Sequence, residues 1–560
     1  MSDFKPTHVL IIILLLIPSA AFLWHNSDLP QFGDFHDDGL YFVSAKSLAS
    51  GNYRIESLPT EPYQTKYPPL YPLLLSIAWR MDPHFPANLR LAAWISWIAL
   101  PILFVLLAEL YPRFGITGWR KWLLMTALAV NPYVILFSSK LLTELWFTAL
   151  LFTAMLLIEQ AARGKASTVL AAAGGIIGGV AYLTRASGVV LLLAGFVYLW
   201  LRHNRRNAIV FAATMFPFLV CWMAWVRLHA YHGADPALVY YTDYFRYELY
   251  NITPKTLHLF LWKNLDGLVS SLGYLVLPRY QAIPEIGSST LLKILAEVVG
   301  VASISGVVRM ARAGRALLYI IFAAGSAFLL LIWHFPPDER LILPLMPLAF
   351  AGLFRELEHF VALLRSGWQR PELSQKIASM LIVTLVAAIL IAAIGLQAYV
   401  DGDFSKSVEA IRERNIDFRG TYAWIRSNLP ADASVVAYND PAMYLYTGRR
   451  SIRRILPFYL WYTSDHVALV DLYRELAPYA KDHGADFAYH TTNAEVGMTE
   501  DDALVIDHEI NTNPLLIPIY STGIGTVYRV DAEARERPKT AYTAPPAATI
   551  TSPGQVVAGR

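Results

Sequence analysis

The chain has 560 residues, of which 55% are hydrophobic and 16% are charged, and its formal net charge at pH 7 is +3. This composition is too apolar for a water-soluble globular protein and predicts a chain that crosses a membrane many times. The single cysteine, Cys221, lies inside an apolar run, which excludes a disulfide within the chain and a cysteine-ligated metal site.

Eleven apolar runs predict membrane-spanning helices. The first, Val9 to Trp24, follows Lys5 and is long enough to cross most of a hydrocarbon core, so we expect its N-terminus in the cytoplasm. The segment from Lys66 to Arg80 is too short to span and starts with prolines, which predicts an interfacial helix on the outer surface. The other ten runs are Leu91 to Leu110, Trp122 to Phe137, Leu145 to Ile158, Thr168 to Leu183, Val189 to Leu201, Ala208 to Val226, Leu291 to Val308, Ala316 to Trp333, Leu341 to Phe354 and Ile377 to Val400.

Basic residues between the runs predict the orientation of the chain. If the first helix runs outward, basic residues gather in every segment assigned to the cytoplasm, as the positive-inside rule requires. The three short outer turns carry one basic residue each, namely Lys140, Arg185 and Arg340. An odd number of spans places the C-terminus outside. We therefore expect a multi-pass protein of the cytoplasmic (inner) membrane with an extracytoplasmic C-terminal region.

Composition divides the chain into three parts. Residues 1–400 form the predicted transmembrane domain, with outer loops at 25–90 and 229–288, and the second loop is rich in Tyr and Trp that suit an interface or a sugar-stacking surface. Residues 401–533 predict a small extracytoplasmic α/β domain, and residues 534–560, rich in Pro, Ala and Thr, a disordered tail. The predicted strands of this domain are SVVAY, DFAYH and GTVYRV, and its predicted helices are Thr421 to Leu429 and Ser464 to Ala480.

An acidic cluster follows the first predicted span. The stretch FGDFHDDGLYFVSAKSLASG, Phe32 to Gly51, contains three carboxylates within five positions. Ionisable groups next to membrane spans cost about 2.5 to 3.5 kcal/mol near the bilayer centre and less at the interface, so they tend to be paired or functional. The predicted topology brings these charged residues to one side of the membrane: Asp34, Asp37, Asp38, Lys66, Lys140, Glu144, Arg185 and Arg340.

This set of charges is suited to group transfer from a phosphorylated lipid. A carboxylate can deprotonate an acceptor hydroxyl or amine, which is typically worth about 10² to 10⁴ in rate. Lysine and arginine can bind a phosphate and neutralise the charge that builds on a phosphate leaving group. Because nucleotide-sugars are kept in the cytoplasm, a transferase that faces outward needs a lipid-carried donor.

Several short motifs occur in order along roughly the first 350 positions. They are Asp37-Asp38-Gly39-Leu40-Tyr41 followed by LASG, Lys66 before Pro68-Pro69, Glu144 in SSKLLTELWF, Arg185 in LTRASG and Arg340 in PPDERLILPLMP. On these motifs the chain resembles the polyprenyl-phosphate-dependent glycosyltransferases of the GT-C superfamily, in particular the protein mannosyltransferase and lipid A aminoarabinose transferase branch (glycosyltransferase family 39-like). Two departures, Asp38 where closer relatives often have Glu and Tyr67 inserted before Pro68, leave the acceptor class open.

The resemblance implies an α-helical polytopic membrane protein of the GT-C fold, with about eleven transmembrane helices and a C-terminal extracytoplasmic α/β domain. It implies inverting transfer of a hexosyl or pentosyl group to a lipid, protein or glycan acceptor. The donor is a sugar linked to a polyprenyl phosphate, such as undecaprenyl phosphate. Membrane lipids are expected partners and nucleic acid is not. The implied roles are base or acceptor orientation for Asp37, support from Asp38 and Glu144, and donor phosphate binding by Lys66, Arg185 and Arg340, with Asp34, Tyr41 and Lys140 as further candidates.

Other interpretations stay open on the sequence. The three carboxylates Asp37, Asp38 and Glu144 could instead bind a divalent metal, Mg²⁺ or Mn²⁺, because oxygen ligands suit these ions. The acidic cluster could be a solvated loop, and Lys66 could extend from an interfacial helix towards water. A secondary transporter or lipid translocase would place its charges at the membrane midplane on interrupted helices. A non-catalytic receptor that binds a partner through its C-terminal domain would not use the charged residues of the outer loops.

Overall fold

The structure is a computed structural model that describes residues 5–163, 167–243, 246–247, 254, 257–279, 289–333, 335–368, 373–456, 462, 465–491 and 499–531. The predicted disordered tail, 534–560, lies outside the described residues, as does part of the aromatic outer loop 229–288. Most of the described chain is helical. The helices before the first strand are α1 (Pro6–His25), α2 (Asp37–Ala49), α3 (Leu70–Met81), α4 (Leu89–Trp97), α5 (Ala99–Arg113), α6 (Trp119–Ala129), α7 (Pro132–Ser138), α8 (Glu144–Ala161), α9 (Ser167–Thr184), α10 (Val189–Leu201), α11 (Arg205–His229), α12 (Pro236–Thr242), α13 (Leu257–Tyr274), α14 (Thr290–Arg312), α15 (Leu317–Leu331), α16 (Met346–Trp368) and α17 (Leu373–Asn428), with short 3-10 turns at Ala186–Gly188 and Leu343–Leu345.

The chain is a polytopic α-helical membrane protein, and each of the eleven predicted runs coincides with one or two of these helices and turns, apart from short breaks and a residue or two at the ends. Among the described residues, seven helices are long and apolar enough to cross a membrane, and an eighth span is formed if α6 and α7, bent by 59°, count as one. The prediction of about eleven was higher because it also counted Ala186–Leu201 and Leu317–Leu331, which are shorter than a full span, and α16, which carries several charges.

The C-terminal part contains a five-stranded mixed sheet. Strand order is β2-β1-β3-β5-β4, with β1 parallel to β2 and β3, and β5 antiparallel to β3 and β4. The three predicted strands are present as β1, β3 and β5, whereas β2 and β4 were not predicted. The elements are β1 (Ser434–Ala437), α18 (Asp440–Thr447), β2 (Arg450–Ile452), α19 (His466–Arg474), α20 (Leu476–Asp482), β3 (Phe487–Thr491), α21 (Glu500–Thr512), β4 (Leu516–Thr522) and β5 (Gly525–Val530).

The sheet region shares one hydrophobic core with the two segments that the sequence predicts to be outer loops, 25–90 and 229–288. Leu40, Ile55 and Leu58 from the first outer loop are fully buried in the same cluster as Val436 and Ile452 of the sheet. The helix α17 also runs without a break across position 400, where the sequence predicted a domain boundary. Burial of these apolar side chains against one another removes their surface from water and holds the sheet region against the first outer loop.

Candidate functional site

The first outer loop folds around the side chain of Asp38. The Asp38 carboxylate accepts hydrogen bonds from the backbone amides of Gly33 and Gly39, each at 2.8 Å. Gly33 has a φ of +101°, a conformation that glycine adopts without strain. Burial raises the pKa of Asp38 to about 6, against the lowering effect of these amides and of Lys140. Asp38 therefore shapes the loop, and its carboxylate does not line the cavity described below.

Asp37 is the first residue of α2, and its carboxylate has two partners on other segments. Arg340 donates from Nη2 to Asp37 Oδ2 at 2.7 Å, and the hydroxyl of Tyr67 donates to Asp37 Oδ1. Burial would raise the pKa of Asp37, but the positive charges of Arg340 and Lys66 and the hydrogen bond from Tyr67 together lower that pKa well below its usual range. Asp37 is therefore ionised at neutral pH.

Glu144 lies behind the two arginines, where it holds both. Its Oε1 accepts from Arg340 Nε at 2.6 Å and from Arg185 Nη1 at 2.6 Å, and the Glu144 side chain is only 1% exposed. Glu144 begins α8, Arg185 directly follows α9, and Arg340 precedes the turn Leu343–Leu345. Three remote chain segments thus meet at one carboxylate, which itself does not line the cavity.

Lys66 and Tyr41 occupy the wall between Asp37 and the second outer loop. The ammonium of Lys66 lies 3.5 Å from the centroid of the Tyr240 ring, a cation–π distance, and Lys66 is 7% exposed. Tyr41 is buried and its ring packs against those of Tyr67 and Tyr71, at centroid distances of 4.6 and 5.2 Å. Both Lys66 and Tyr41 line the cavity.

Lys140 and Asp34 form a separate ion pair at the edge of the cavity. Lys140 Nζ lies 3.2 Å from Asp34 Oδ2 and 5.0 Å from the centroid of the Phe35 ring. The Lys140 side chain is 5% exposed and that of Asp34 is 35% exposed. The pair fastens the start of the loop to the turn before α8, and the Phe35 ring that Lys140 approaches also lies 5.2 Å from the Arg340 guanidinium.

A cavity of about 1890 Å³ joins these residues to the membrane helices and to the sheet region. Apolar side chains that line the cavity come from α11 and α15, namely Leu219, Met223, Val226, Phe322, Leu329 and Leu330. Other lining residues come from α17 and the sheet region, namely Phe418, Arg419, Tyr422, Tyr438, Asn439 and Arg453. The same cavity is lined by Asp37, Tyr41, Lys66, Arg185 and Arg340.

Positive charge predominates in the cavity lining. Among the described residues that line the cavity, ten are basic and five are acidic. Such an excess favours anionic ligands, because field lines are focused in a cleft with low-dielectric walls. The basic residues are Lys66, Lys140, Arg185, Arg227, Arg246, Arg279, Arg340, Arg414, Arg419 and Arg453, and the acidic ones are Asp34, Asp37, Asp243, Asp338 and Glu339.

Some residues of the site were not predicted. Tyr67 was noted only as an insertion, although its hydroxyl binds Asp37. Asp338 and Glu339 stand inside the quoted motif PPDERLILPLMP, where Glu339 pairs with Arg279 at 2.9 Å and Asp338 accepts from the Leu341 amide at 3.1 Å. The charged neighbours of Arg340 in that motif were a signal that could have pointed to both.

The carboxylates of the site do not fit a divalent metal. No group of three His, Cys, Asp or Glu side chains that could hold a metal occurs in the part of the chain that the structure describes. Asp37 and Glu144 are each bound by arginine, and Asp38 by backbone amides. Arginine groups, a tyrosine hydroxyl and backbone amides thus already bind oxygens that a metal would need.

Comparisons with solved structures identify the fold. An oligosaccharyltransferase from Archaeoglobus fulgidus in complex with Zn and sulfate matches with a TM-score of 0.50 at 12% identity, over 93% of this chain and 73% of that chain. ArnT from Cupriavidus metallidurans, bound to undecaprenyl phosphate, matches with a TM-score of 0.48 at 12% identity, over 96% of this chain and 100% of that chain. No family model and no curated protein matches the chain. The chain has the GT-C fold of membrane glycosyltransferases, as the sequence predicted.

Proposed function

We propose that this protein is an integral-membrane glycosyltransferase that moves a sugar from a polyprenyl-phosphate donor to an acceptor on the extracytoplasmic side of the cytoplasmic membrane. The observation that carries the proposal is the position of Arg340, which binds Asp37 at 2.7 Å and Glu144 at 2.6 Å while facing the cavity. A carboxylate suited to the acceptor and a guanidinium suited to a phosphate are thereby held side by side.

The donor phosphate is assigned to Arg340, Arg185 and Lys66. Arginine offers a planar fork that matches two phosphate oxygens, and Glu144 fixes the orientation of both guanidinium groups. These cations neutralise the charge that develops on the departing phosphate. The polyprenyl chain is assigned to the apolar side chains of α11 and α15, which line the same cavity as the cations.

Asp37 is assigned to the acceptor. In the proposed reaction the acceptor oxygen or nitrogen attacks the anomeric carbon from the side opposite the phosphate, which inverts the configuration. The bond between the anomeric carbon and the phosphate oxygen breaks, its electron pair goes to the phosphate, and Asp37 takes the acceptor proton. When the donor phosphate binds Arg340, it weakens the ion pair between Arg340 and Asp37. The basicity of Asp37 therefore rises once the donor is bound, before the acceptor proton is transferred.

The remaining candidates take supporting roles. Asp38 positions the loop through the two glycine amides, and Glu144 positions the two arginines. Tyr41 forms part of the wall beside Asp37, and the pair of Lys140 and Asp34 anchors the start of the loop. The distribution of basic residues between the spans supports an extracytoplasmic location for this cavity and for the sheet region.

A transport function is less well supported. Transporter sites lie near the membrane midplane on interrupted helices, whereas Glu144 begins α8, Arg185 directly follows α9 and Arg340 lies in the turn before Leu343–Leu345. The test is reconstitution in vesicles supplied with polyprenyl-phosphate sugars and mixed envelope acceptors. We expect release of free polyprenyl phosphate together with a glycosylated acceptor. Movement of the intact lipid-linked sugar across the bilayer, without cleavage, would contradict the proposal.

The sugar and the acceptor follow from a second experiment. Mass spectrometry would compare envelope glycans and lipid-linked sugars in a deletion strain with those in the same strain carrying the wild-type protein. We expect one lipid-linked sugar to accumulate and one glycan to lose that same sugar in the deletion strain. An unchanged set of both would count against an extracytoplasmic transferase.

A further inference from the structure

The sheet region contacts the very loop that carries Asp37. A side-chain carbon added to Gly39 would lie 2.8 Å from Pro441 Cβ, and one added to Gly33 would lie 2.2 Å from Asn439 Nδ2. Asn439 Nδ2 also donates to the Gly33 carbonyl at 3.0 Å. The side chains of Pro441 and Asn439 therefore occupy the space that side chains at positions 39 and 33 would need, so the start of α18 packs directly on the loop 33–39.

Within this contact, His36 and Asp440 form a buried pair. His36 Nε2 lies 2.6 Å from Asp440 Oδ1, and the exposed fractions of the two residues are 7% and 0%. The other ring nitrogen, Nδ1, lies 3.4 Å from the hydroxyl of Tyr240. Both nitrogens are engaged, so the ring is fixed. Burial lowers the pKa of His36 against the raising effect of Asp440, which keeps the ring neutral at pH 7.

The backbone of His36 sets the direction in which α2 begins. Its φ is +58°, which lies in the left-handed region that residues with a side chain seldom adopt. Such a conformation persists only when the surroundings hold it, and the next residue along the chain is Asp37. Asp440 is itself fastened, because Ser451 Oγ donates to its carbonyl at 2.5 Å and the Ser451 amide donates to the Ser57 carbonyl at 2.7 Å.

We propose that Asp440 is a positioning residue of the active site, which holds His36 and thereby fixes the placement of Asp37. The sheet region then positions a residue of the active site, in addition to contributing side chains that line the cavity. This inference rests on the proposed function insofar as it assigns Asp37 to the acceptor. The contact itself does not depend on that assignment, so the two can be tested separately.

The test combines hydrogen exchange with kinetics on the full-length protein in lipid nanodiscs. In Asp440→Ala, peptides covering residues 33–41 should exchange faster than in the wild type. In Asp440→Asn the amide oxygen still accepts from His36, so exchange should stay close to that of the wild type. The matched control is Glu61→Gln, which removes an exposed ion pair with Arg450 that also joins the first outer loop to the sheet region. Its exchange at 33–41 should not change.

Kinetics then separates positioning from mere attachment. Asp440→Ala should lower kcat by about 100-fold while the donor KM changes by less than about threefold, because misplacement of a reacting group affects the transition state more than ground-state binding. Asp440→Asn should recover most of the loss. Unchanged exchange at 33–41 in Asp440→Ala, or an equal loss of kcat in all three variants, would overturn the inference. If Asp440→Ala exchanges faster at 33–41 but the wild-type protein itself shows no transfer, the contact is upheld and the proposed function is contradicted instead.

Discussion

Arg340 Nη2 donates to Asp37 Oδ2 at 2.7 Å, although the two residues are 303 positions apart in the sequence. The two charges pair in a partly buried setting, where the Arg340 side chain is 13% exposed and that of Asp37 is 23% exposed. In the proposed reaction Arg340 binds the donor phosphate and Asp37 takes the proton of the acceptor substrate. Their contact therefore places the donor site directly beside the acceptor site.

Replacing Arg340 by alanine should weaken donor binding more than acceptor binding. The variant loses a charge-assisted hydrogen-bonding group, which is worth about 1.5 to 3 kcal/mol, or roughly a 10- to 150-fold rise in the donor Kd. Titration with a polyprenyl-phosphate sugar and, separately, with acceptor measures both constants. The control is Arg309→Ala, which removes an arginine paired with Glu356 at 2.6 Å, away from the cavity lining. An equal loss for donor and acceptor would remove the phosphate role of Arg340.

Replacing Glu144 by glutamine should damage both the fold and donor binding. Two guanidinium groups would lose the carboxylate that neutralises them in a site where Glu144 is only 1% exposed. Breaking a buried ion pair by removing one partner typically costs about 3 to 5 kcal/mol. We expect a lower unfolding temperature, measured in detergent, and a higher donor Kd. A variant with unchanged unfolding temperature and donor Kd would show that the arginines do not depend on Glu144.

Replacing Tyr67 by phenylalanine should move the acid side of the pH–rate profile. The lost hydrogen bond favours the ionised form of Asp37, so the pKa of Asp37 rises towards its usual value in the variant. Because activity requires the carboxylate, activity should be lost at a higher pH as the solution is acidified, by about one pH unit. The measurement is kcat/KM from pH 7 down to the lowest pH at which both proteins stay folded, because the pKa of Asp37 lies well below its usual range. An identical acid limb in both proteins would argue against Asp37 as the group that titrates.

Replacing Asp38 by asparagine should change how stability depends on pH. The pKa of Asp38 is about 6 in the folded protein and lower in the unfolded chain, so its contribution is fully present below the unfolded pKa and is lost as the pH rises through about 6. Asparagine does not titrate. The unfolding temperature of the variant relative to the wild type should therefore rise between pH 4 and pH 7. A constant difference across this range would mean that Asp38 does not titrate with the fold.

Much of the fold could be predicted from the sequence because apolar runs and basic loops are local signals. Arg185 and Arg340 were predicted to face the same side because each is the single basic residue of a short outer turn. The strand GTVYRV was predicted at its observed bounds. The count of spans was less accurate, because run length alone does not separate a full span from a shorter helix or from one that carries charges, as α16 does.

The geometry within the site could not be predicted, because it depends on contacts between distant segments. Asp37 and Asp38 are neighbours in the sequence, yet one faces the cavity and the other turns into its own loop. The pairing of His36 with Asp440 spans 404 positions, and no local pattern marks either residue as a partner of the other. The course of α17 across position 400 was also missed, since the sequence becomes more polar there while the helix continues.

The most direct test of the account is transfer by Asp37→Asn in reconstituted vesicles supplied with a lipid-linked sugar and its acceptor. Asparagine keeps the size of the side chain but cannot take up the acceptor proton. We therefore expect the transfer rate to fall by a factor of about 10² to 10⁴ while the protein still inserts and folds. Asp82→Asn, the same substitution at an outer carboxylate whose side chain is 40% exposed, should retain full activity. Transfer at the wild-type rate by a correctly folded Asp37→Asn variant would contradict the account.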